Sequence, residues 1–139
     1  MLKDEIELRE RARRLNIGVE HVVRDVLQAR LIGAVFSASA GELVLKGGLA
    51  MRTSHRSQRY TKDVDLQTGP QVPQARVTGI IRKALKQAAE TGFLKQVSIT
   101  EPKQTDTVQR WKVAGVVGSS HINMTVEVSR RGLPPPEDL

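Results

Sequence analysis

The spacing of apolar residues changes along this chain from a helical period to strict alternation. Residues 19–36 repeat apolar side chains at intervals of three and four, which predicts a helix with one broad apolar face. That face comprises Val22, Val23, Val26, Leu27, Leu31, Ala34 and Val35. Residues 62–67 and 121–129 alternate instead, and alternation is typical of a strand with one buried face. The chain is therefore expected to pack helices against a sheet.

The order of the predicted elements narrows the fold class. Helices are predicted at 4–15, 19–36, 49–57 and 75–92, and strands at 42–46, 62–67, 94–101, 107–117 and 121–129. We expect a loop at 37–41, a helix stop at Gly92 and a hairpin turn at "GSS" (118–120). This order predicts an α/β or α+β fold: a mixed sheet with helices packed on it and a helical pair at the N-terminus, not a doubly wound parallel sheet.

Length and composition limit the classes of function. The 139 residues suit one domain, divided into a helical lead-in (1–37), a sheet-bearing region (42–129) and a tail (130–139). The absence of Cys excludes disulfides and thiolate sites, and the three His are too scattered for a zinc site. No apolar run approaches a membrane span, and no signal peptide begins the chain, so we expect a cytoplasmic protein without a membrane partner.

An excess of basic residues indicates the kind of partner. Twenty-two Lys and Arg against fifteen Asp and Glu give a formal net charge of +7. Such a charge favours nucleotides, nucleic acid or an acidic protein as partners. The alternative is a solvated basic surface without a specific anionic ligand.

The segment "KDVDLQ" (62–67) places two carboxylates on one face of a predicted strand. Asp63 and Asp65 are two residues apart, so both side chains point the same way, while Val64 and Leu66 point to the opposite face. Two neighbouring carboxylates repel each other unless a cation lies between them, and Mg²⁺ suits carboxylate and phosphate oxygens. The pair predicts a divalent metal site, and the alternative is a solvent-facing strand edge.

A glycine pair and several basic residues precede these carboxylates. Gly47 and Gly48 lie at a predicted strand-to-helix junction, where bare backbone N–H groups can approach an anion. The basic residues that follow or flank this turn are Lys46, Arg52, Arg56, Arg59 and Lys62. Together the segment carries the groups needed to hold a metal-bound polyphosphate, although each motif alone also fits a tight turn or a solvated helix face.

The stretch "LKGGLAMR…RYTKDVDL" resembles the signature of the AbiEii/AbiGii toxin-type nucleotidyltransferases. That signature, shared with the DNA-polymerase-β-like superfamily, is a glycine pair, a spacer and an acid–apolar–acid motif. The upstream helical segment "ARRLNIGVEHVVRDVLQARLIGAVF" is also similar to the family's lead-in. The resemblance covers roughly residues 10 to 129.

The resemblance implies a metal-dependent transfer of a nucleoside monophosphate from an NTP to an acceptor hydroxyl. In related toxins the acceptor is RNA, notably tRNA, and an antitoxin is the protein partner. The implied metal ligands are Asp63 and Asp65, which would hold two Mg²⁺ ions, with Mn²⁺ as a substitute. The implied nucleotide-binding residues are Lys46, Gly47, Gly48, Arg52 and Arg59.

A two-metal site of this type needs a third carboxylate, and Glu127 is the predicted one. In "HINMTVEVSRR" (121–131) the alternation places Glu127 on the polar face of the strand, and its position matches the acidic residue of a corresponding family strand. Glu127 is therefore predicted as both a catalytic and a metal-binding residue. Glu90, Glu101 and Asp106 are the alternatives, near the ends of predicted elements.

Three departures from the family pattern qualify the resemblance. Leu49 stands where the family has a Thr or Ser hydroxyl, and Arg24-Asp25 keeps only part of the lead-in motif. We also expect the chain to lack the family's C-terminal helical half. The alternatives to an enzyme are a catalytically silent basic module that binds RNA or a protein partner, and a basic domain without catalytic function.

Overall fold

The computed structural model describes residues 3–39, 41–45, 63–90 and 93–130. Its helices are α1 (Lys3–Leu15), α2 (Val19–Ser39) and α3 (Gln74–Ala89). Its strands are β1 (Leu43–Leu45), β2 (Asp63–Thr68), β3 (Lys95–Gln104), β4 (Val108–Val117) and β5 (Ser120–Arg130). The predicted α/β class with an N-terminal helical pair is confirmed.

The five strands form one mixed sheet in the order β1-β2-β5-β4-β3. β2 and β5 are parallel, and the other neighbours are antiparallel. β5, the last strand of the described residues, therefore lies in the centre of the sheet, between β2 and β4. The predicted mixed sheet, as opposed to a doubly wound parallel one, is confirmed.

A left-handed residue separates α1 from α2. Asn16 has a φ of 56°, and its N–H donates to the Arg13 carbonyl at 3.2 Å, while the Ile17 N–H donates to Ala12 at 3.0 Å. This pair of bonds satisfies the last carbonyls of a helix, and Asn tolerates the conformation better than most residues. The "NIG" segment (16–18) thus ends α1 as the sequence predicts.

The core lies between the helices and one face of the sheet. Its largest fully buried apolar side chains come from α2, α3, β1 and the three central strands; they are Val23, Leu27, Leu31, Val35, Leu43, Leu66, Ile81, Leu85, Trp111, Ile122 and Met124. Aliphatic residues dominate this set, as expected for a chain with one Trp and two Phe. The alternation of β2, β4 and β5 supplies the sheet side of this core.

Three predicted ends were wrong: those of α2 and α3, and that of β3, which continues to Gln104, three residues past the predicted end at 101. α2 continues through the predicted 37–41 loop as far as Ser39, because Arg76 of α3 donates to the Ala38 carbonyl at 3.2 Å and to Glu42, which holds the last turn in place. α3 ends at Ala89, since Glu90 has left the helical conformation (ψ 76°). The proposed stop at Gly92 and the predicted helix at 49–57 lie outside the described residues.

The β4–β5 hairpin closes through a two-residue turn. Val117 pairs with Ser120, and Gly118 between them has a φ of +60°, which glycine adopts without steric cost. This turn confirms the hairpin predicted at 118–120. Across the described ranges, no helix combines the length and apolarity that a membrane span requires.

Candidate active site

The parallel pairing of β2 with β5 brings the three predicted carboxylates onto adjacent strands. Asp65 lies opposite Glu127, and Asp63 lies opposite Thr125. Val64 and Val126, the alternating residues of the same two strands, are 4% and 0% exposed. Residues paired across strands share a face, so the acids lie on the side of the sheet away from the core.

Contacts to α3 identify the covered face of β4. Trp111 and Gln109 are buried, and Gln109 Nε2 donates to Thr78 Oγ1 of α3 at 2.8 Å. Arg110 and Lys112 alternate with these residues and therefore point to the other side. We call that side the outer face of the sheet: the side that carries Arg110, Lys112 and the three acids.

The registers align polar residues into two rows across the outer face. Each row begins on β2 with an aspartate and crosses β5, β4 and β3 in turn. The first row is Asp63–Thr125–Lys112–Thr100, and the second is Asp65–Glu127–Arg110–Lys103. Neighbouring strands lie about 4.8 Å apart, so Lys112 lies roughly 10 Å from Asp63 in the first row, and Lys103 lies roughly 14 Å from Asp65 in the second. The outer face therefore has an acidic side on β2 and β5 and a basic side on β4 and β3.

Glu127 forms an ion pair within its row. Arg110 donates to Glu127 Oε2 through Nε at 3.0 Å and through Nη2 at 2.8 Å. The two side chains are 36% and 29% exposed, so the pair is open to water. The Glu127 carboxylate thus reaches toward β4.

The residue types fit a divalent metal, but the side chains do not converge on one point. Asp63, Asp65 and Glu127 supply the hard carboxylate oxygens that Mg²⁺ and Mn²⁺ prefer. Within residues 3–39, 41–45, 63–90 and 93–130, however, no three His, Asp or Glu side chains are grouped closely enough to hold an ion. The ion pair with Arg110 accounts for the position of Glu127. The Glu127 side chain would have to rotate toward Asp65 for the two carboxylates to bind one metal ion.

The alternative third carboxylates are placed elsewhere. Glu101 faces α3, where its oxygens accept from Arg82 Nε at 2.6 Å and from the Trp111 indole N–H at 3.0 Å. The hydrogen bond from Arg82, helped by that from Trp111, lowers the pKa of Glu101 in spite of partial burial. Asp106 lies in the β3–β4 connection and Glu90 at the end of α3. None of these three shares the β2–β5 pairing that aligns Asp65 with Glu127.

A buried arginine supports the start of β5. Arg24 of α2 is 4% exposed, and its Nε donates to the backbone carbonyl of Asn123 at 2.8 Å. Burial lowers the pKa of Arg24, and the nearby charge of Glu20 partly opposes that shift. Asn123 lies two residues before Thr125, which pairs with Asp63, so Arg24 satisfies a carbonyl close to the site. Sequence reasoning missed this burial. The signal for it was the spacing of Arg24, which lies three residues before Leu27 and seven before Leu31 and so shares their helix face.

A shallow groove crosses the outer face beside the acids. It has a volume of about 300 Å³, and its polar lining comes from Ser98, Thr100, Lys112, Asn123 and Thr125. These residues belong to the three strands β3, β4 and β5. The groove therefore reaches the first row at Thr125, the residue paired with Asp63.

The predicted nucleotide-binding residues all lie outside the described residues; they are Lys46, Gly47, Gly48, Arg52 and Arg59. Their contact with a triphosphate stays a prediction from the sequence. The described part of the site consists of the acids, the groove and the basic side chains of β3 and β4.

Two solved structures share this fold. One is a candidate nucleotidyltransferase from H. pylori (TM-score 0.51), and the other is JHP933 from Helicobacter pylori (TM-score 0.50). Each is 21% identical and covers 78% of this chain, and the chain spans 46% and 45% of their respective lengths. No curated protein matches the chain significantly.

Residues 30–139 match the family described as nucleotidyl transferase AbiEii toxin, type IV TA system. The matched region includes every strand of the sheet and all three predicted metal ligands. It accounts for well over half of the chain. The chain therefore belongs to the AbiEii family of nucleotidyl transferase toxins.

Proposed function

We propose that this chain is the catalytic part of a metal-dependent nucleotidyltransferase that transfers a nucleoside monophosphate from an NTP to an acceptor hydroxyl. The observation that carries the proposal is the pairing of Asp65 with Glu127, with Asp63 on the same face of the sheet. This pairing aligns three carboxylates from two strands at one edge of an exposed surface, within a chain of the AbiEii family.

The carboxylates would act by holding Mg²⁺ or Mn²⁺ next to the reacting phosphate. Bound divalent ions supply positive charge that offsets the charge of the leaving pyrophosphate and favours ionisation of the acceptor hydroxyl. The acceptor oxygen attacks the α-phosphorus, the bond to the β-phosphate bridging oxygen breaks, and pyrophosphate and a proton leave. Asp63, Asp65 and Glu127 are the residues proposed to orient these groups.

The macromolecular partners follow from the family and the charge. Membership of a type IV toxin–antitoxin family supports a cognate antitoxin as the protein partner. The net charge of +7 supports an RNA acceptor, with tRNA as the first candidate.

Label transfer tests the proposed reaction. The chain is incubated with Mg²⁺, total tRNA and each of the four α-labelled NTPs in turn, and labelled RNA is separated by electrophoresis. We expect label in RNA with at least one NTP, and none with EDTA or with Asp65→Asn. Asp106→Asn is the matched control, because it removes a carboxylate outside the β2–β5 pairing. Equal transfer by wild type and Asp65→Asn would reject the site.

A second candidate function is a catalytically silent module that binds RNA or a protein partner. The ion pair between Arg110 and Glu127 favours it, because a carboxylate neutralised by arginine needs no metal. This module would bind phosphate-containing ligands equally well in EDTA and in Mg²⁺. Metal-dependent NTP binding, measured by calorimetry, separates the two functions.

A further inference from the structure

The basic side of the outer face extends from the proposed catalytic acids and has no role in holding metal. Lys112 lies two strands from Asp63 in the first row, and Lys103 lies three strands from Asp65 in the second. Both lysines are exposed, and Lys103 is on the edge strand of the sheet. Two mobile cations at this distance from the acids suit contacts to an anion that enters the site from the β3 side.

The groove lies between the first row and the neighbouring Asn123–Ala114–Ser98 row, and its surface suits a sugar-phosphate backbone. Its polar lining includes the hydroxyls of Ser98, Thr100 and Thr125, the amide of Asn123 and the ammonium of Lys112. Hydroxyls, amides and lysines are the side chains that commonly contact phosphates and sugars without reading base sequence. A volume of about 300 Å³ and an open, shallow shape favour an extended ligand lying across the strands.

The charge gradient gives the ligand a direction. A polyanion is repelled by Asp63 and Asp65 and attracted by Lys103 and Lys112, so most of it should lie over β3 and β4. Only its end would then reach the acids on β2. A strand with a terminal hydroxyl to be modified has this form: many phosphates along its length and one reacting group at its end.

We propose that the outer face of β3, β4 and β5 is the binding surface for a single-stranded RNA acceptor, with Lys112 and Lys103 contacting its phosphates. This inference rests on the proposed nucleotidyl transfer, since that reaction requires the acceptor end to meet the acids. In this arrangement the hydroxyls of Thr100 and Thr125 donate hydrogen bonds to sugar or phosphate oxygens in the groove. Recognition is through the backbone, so sequence preference at this surface should be weak.

Fluorescence anisotropy of a labelled single-stranded RNA in EDTA tests this surface without involving metal or catalysis. Lys112→Gln and Lys103→Gln are compared with Lys86→Gln, which removes the same charge from α3 on the opposite side of the molecule. Each sheet variant should weaken binding and lower the slope of log K against log salt by about 0.7, the value for one phosphate contact on a single strand. Lys86→Gln should leave the slope unchanged.

The outcomes separate this proposal from the catalytic one. The proposed RNA-binding surface would be rejected if the wild type bound no RNA, or if all three lysine variants changed RNA binding equally. A loss of NTP affinity in Lys112→Gln with intact RNA binding would also overturn it, by assigning the groove to the nucleotide. Reduced RNA binding in the sheet variants together with an absence of label transfer from every NTP would keep the surface and reject the enzyme.

Discussion

Arg110 holds the carboxylate of Glu127 through two hydrogen bonds, on the strand that separates Glu127 from the basic edge of the sheet. The backbone of Glu127 is paired in register with that of Asp65 on the other side. Glu127 thus lies between a cation on β4 and an acid on β2. In the proposed metal site, the Glu127 side chain would leave Arg110 to join Asp65.

Arg110→Gln should raise the affinity for Mn²⁺ in the presence of NTP. The variant removes the competing ion pair, which is water-exposed and contributes at most about 1 kcal/mol, so the expected gain is up to about fivefold. Calorimetry measures the affinity. Arg76→Gln, which breaks an exposed pair with Glu42 far from the acids, is the control. An unchanged or weaker affinity in Arg110→Gln would show that the pair does not compete with metal.

Glu127→Gln should abolish label transfer and leave the fold intact. The amide keeps the shape of the side chain but removes the charge that binds metal, and loss of a direct ligand should exceed the ~100-fold cost typical of groups outside the coordination sphere. Initial rates of transfer and thermal unfolding are measured together. Transfer at the wild-type rate would exclude Glu127 as the third carboxylate.

Glu101 should make stability depend on pH through its contacts to Arg82 and Trp111. Its pKa is lowered in the folded protein, so its contribution is present above the unfolded pKa of about 4.3 and is lost as the pH falls through the lower folded value. The difference in Tm between wild type and Glu101→Gln should therefore be largest near neutrality and vanish in stronger acid. Trp111, the only tryptophan, reports unfolding by fluorescence.

Glu90→Gln is the control for this pH dependence, because Glu90 is exposed at the end of α3. Its Tm should follow that of the wild type at every pH. The effect of Glu101 should be modest, since the Arg82 side chain is 61% exposed and screened by water. A Tm difference that grows in acid would contradict the assignment.

Arg24→Met should destabilise the chain by about 1–3 kcal/mol, because it removes a buried donor and leaves the Asn123 carbonyl without it. Urea unfolding measures the loss. Arg30→Met, an exposed position on the same helix, is the matched control and should change stability little. Equal stability of the two variants would contradict the prediction. It would mean that the hydrogen bond from Arg24 to Asn123 contributes no more than the packing of a methionine at that position.

The sequence predicted the elements well and their long-range pairing less completely. Alternation in 62–67 and 121–129 was sufficient to place Asp65 and Glu127 on polar strand faces. Alternation within one strand does not indicate which other strand will pair with it. The parallel β2–β5 register therefore became known only from the structure. The contacts of Arg24 and Glu101 were also missed, because each joins residues of different elements that are distant in sequence.

The central position of β5 has a consequence for how such a protein loses its activity. Val126 and Val128 fix the register of β5 through the core, and a slip of one residue would bury Glu127 and expose both valines. The acids are thus aligned by side chains that take no part in chemistry. Point changes at Asp63, Asp65 or Glu127 would silence the reaction and spare the architecture, so inactive descendants of such a toxin would still fold and still present the same basic surface to their partners.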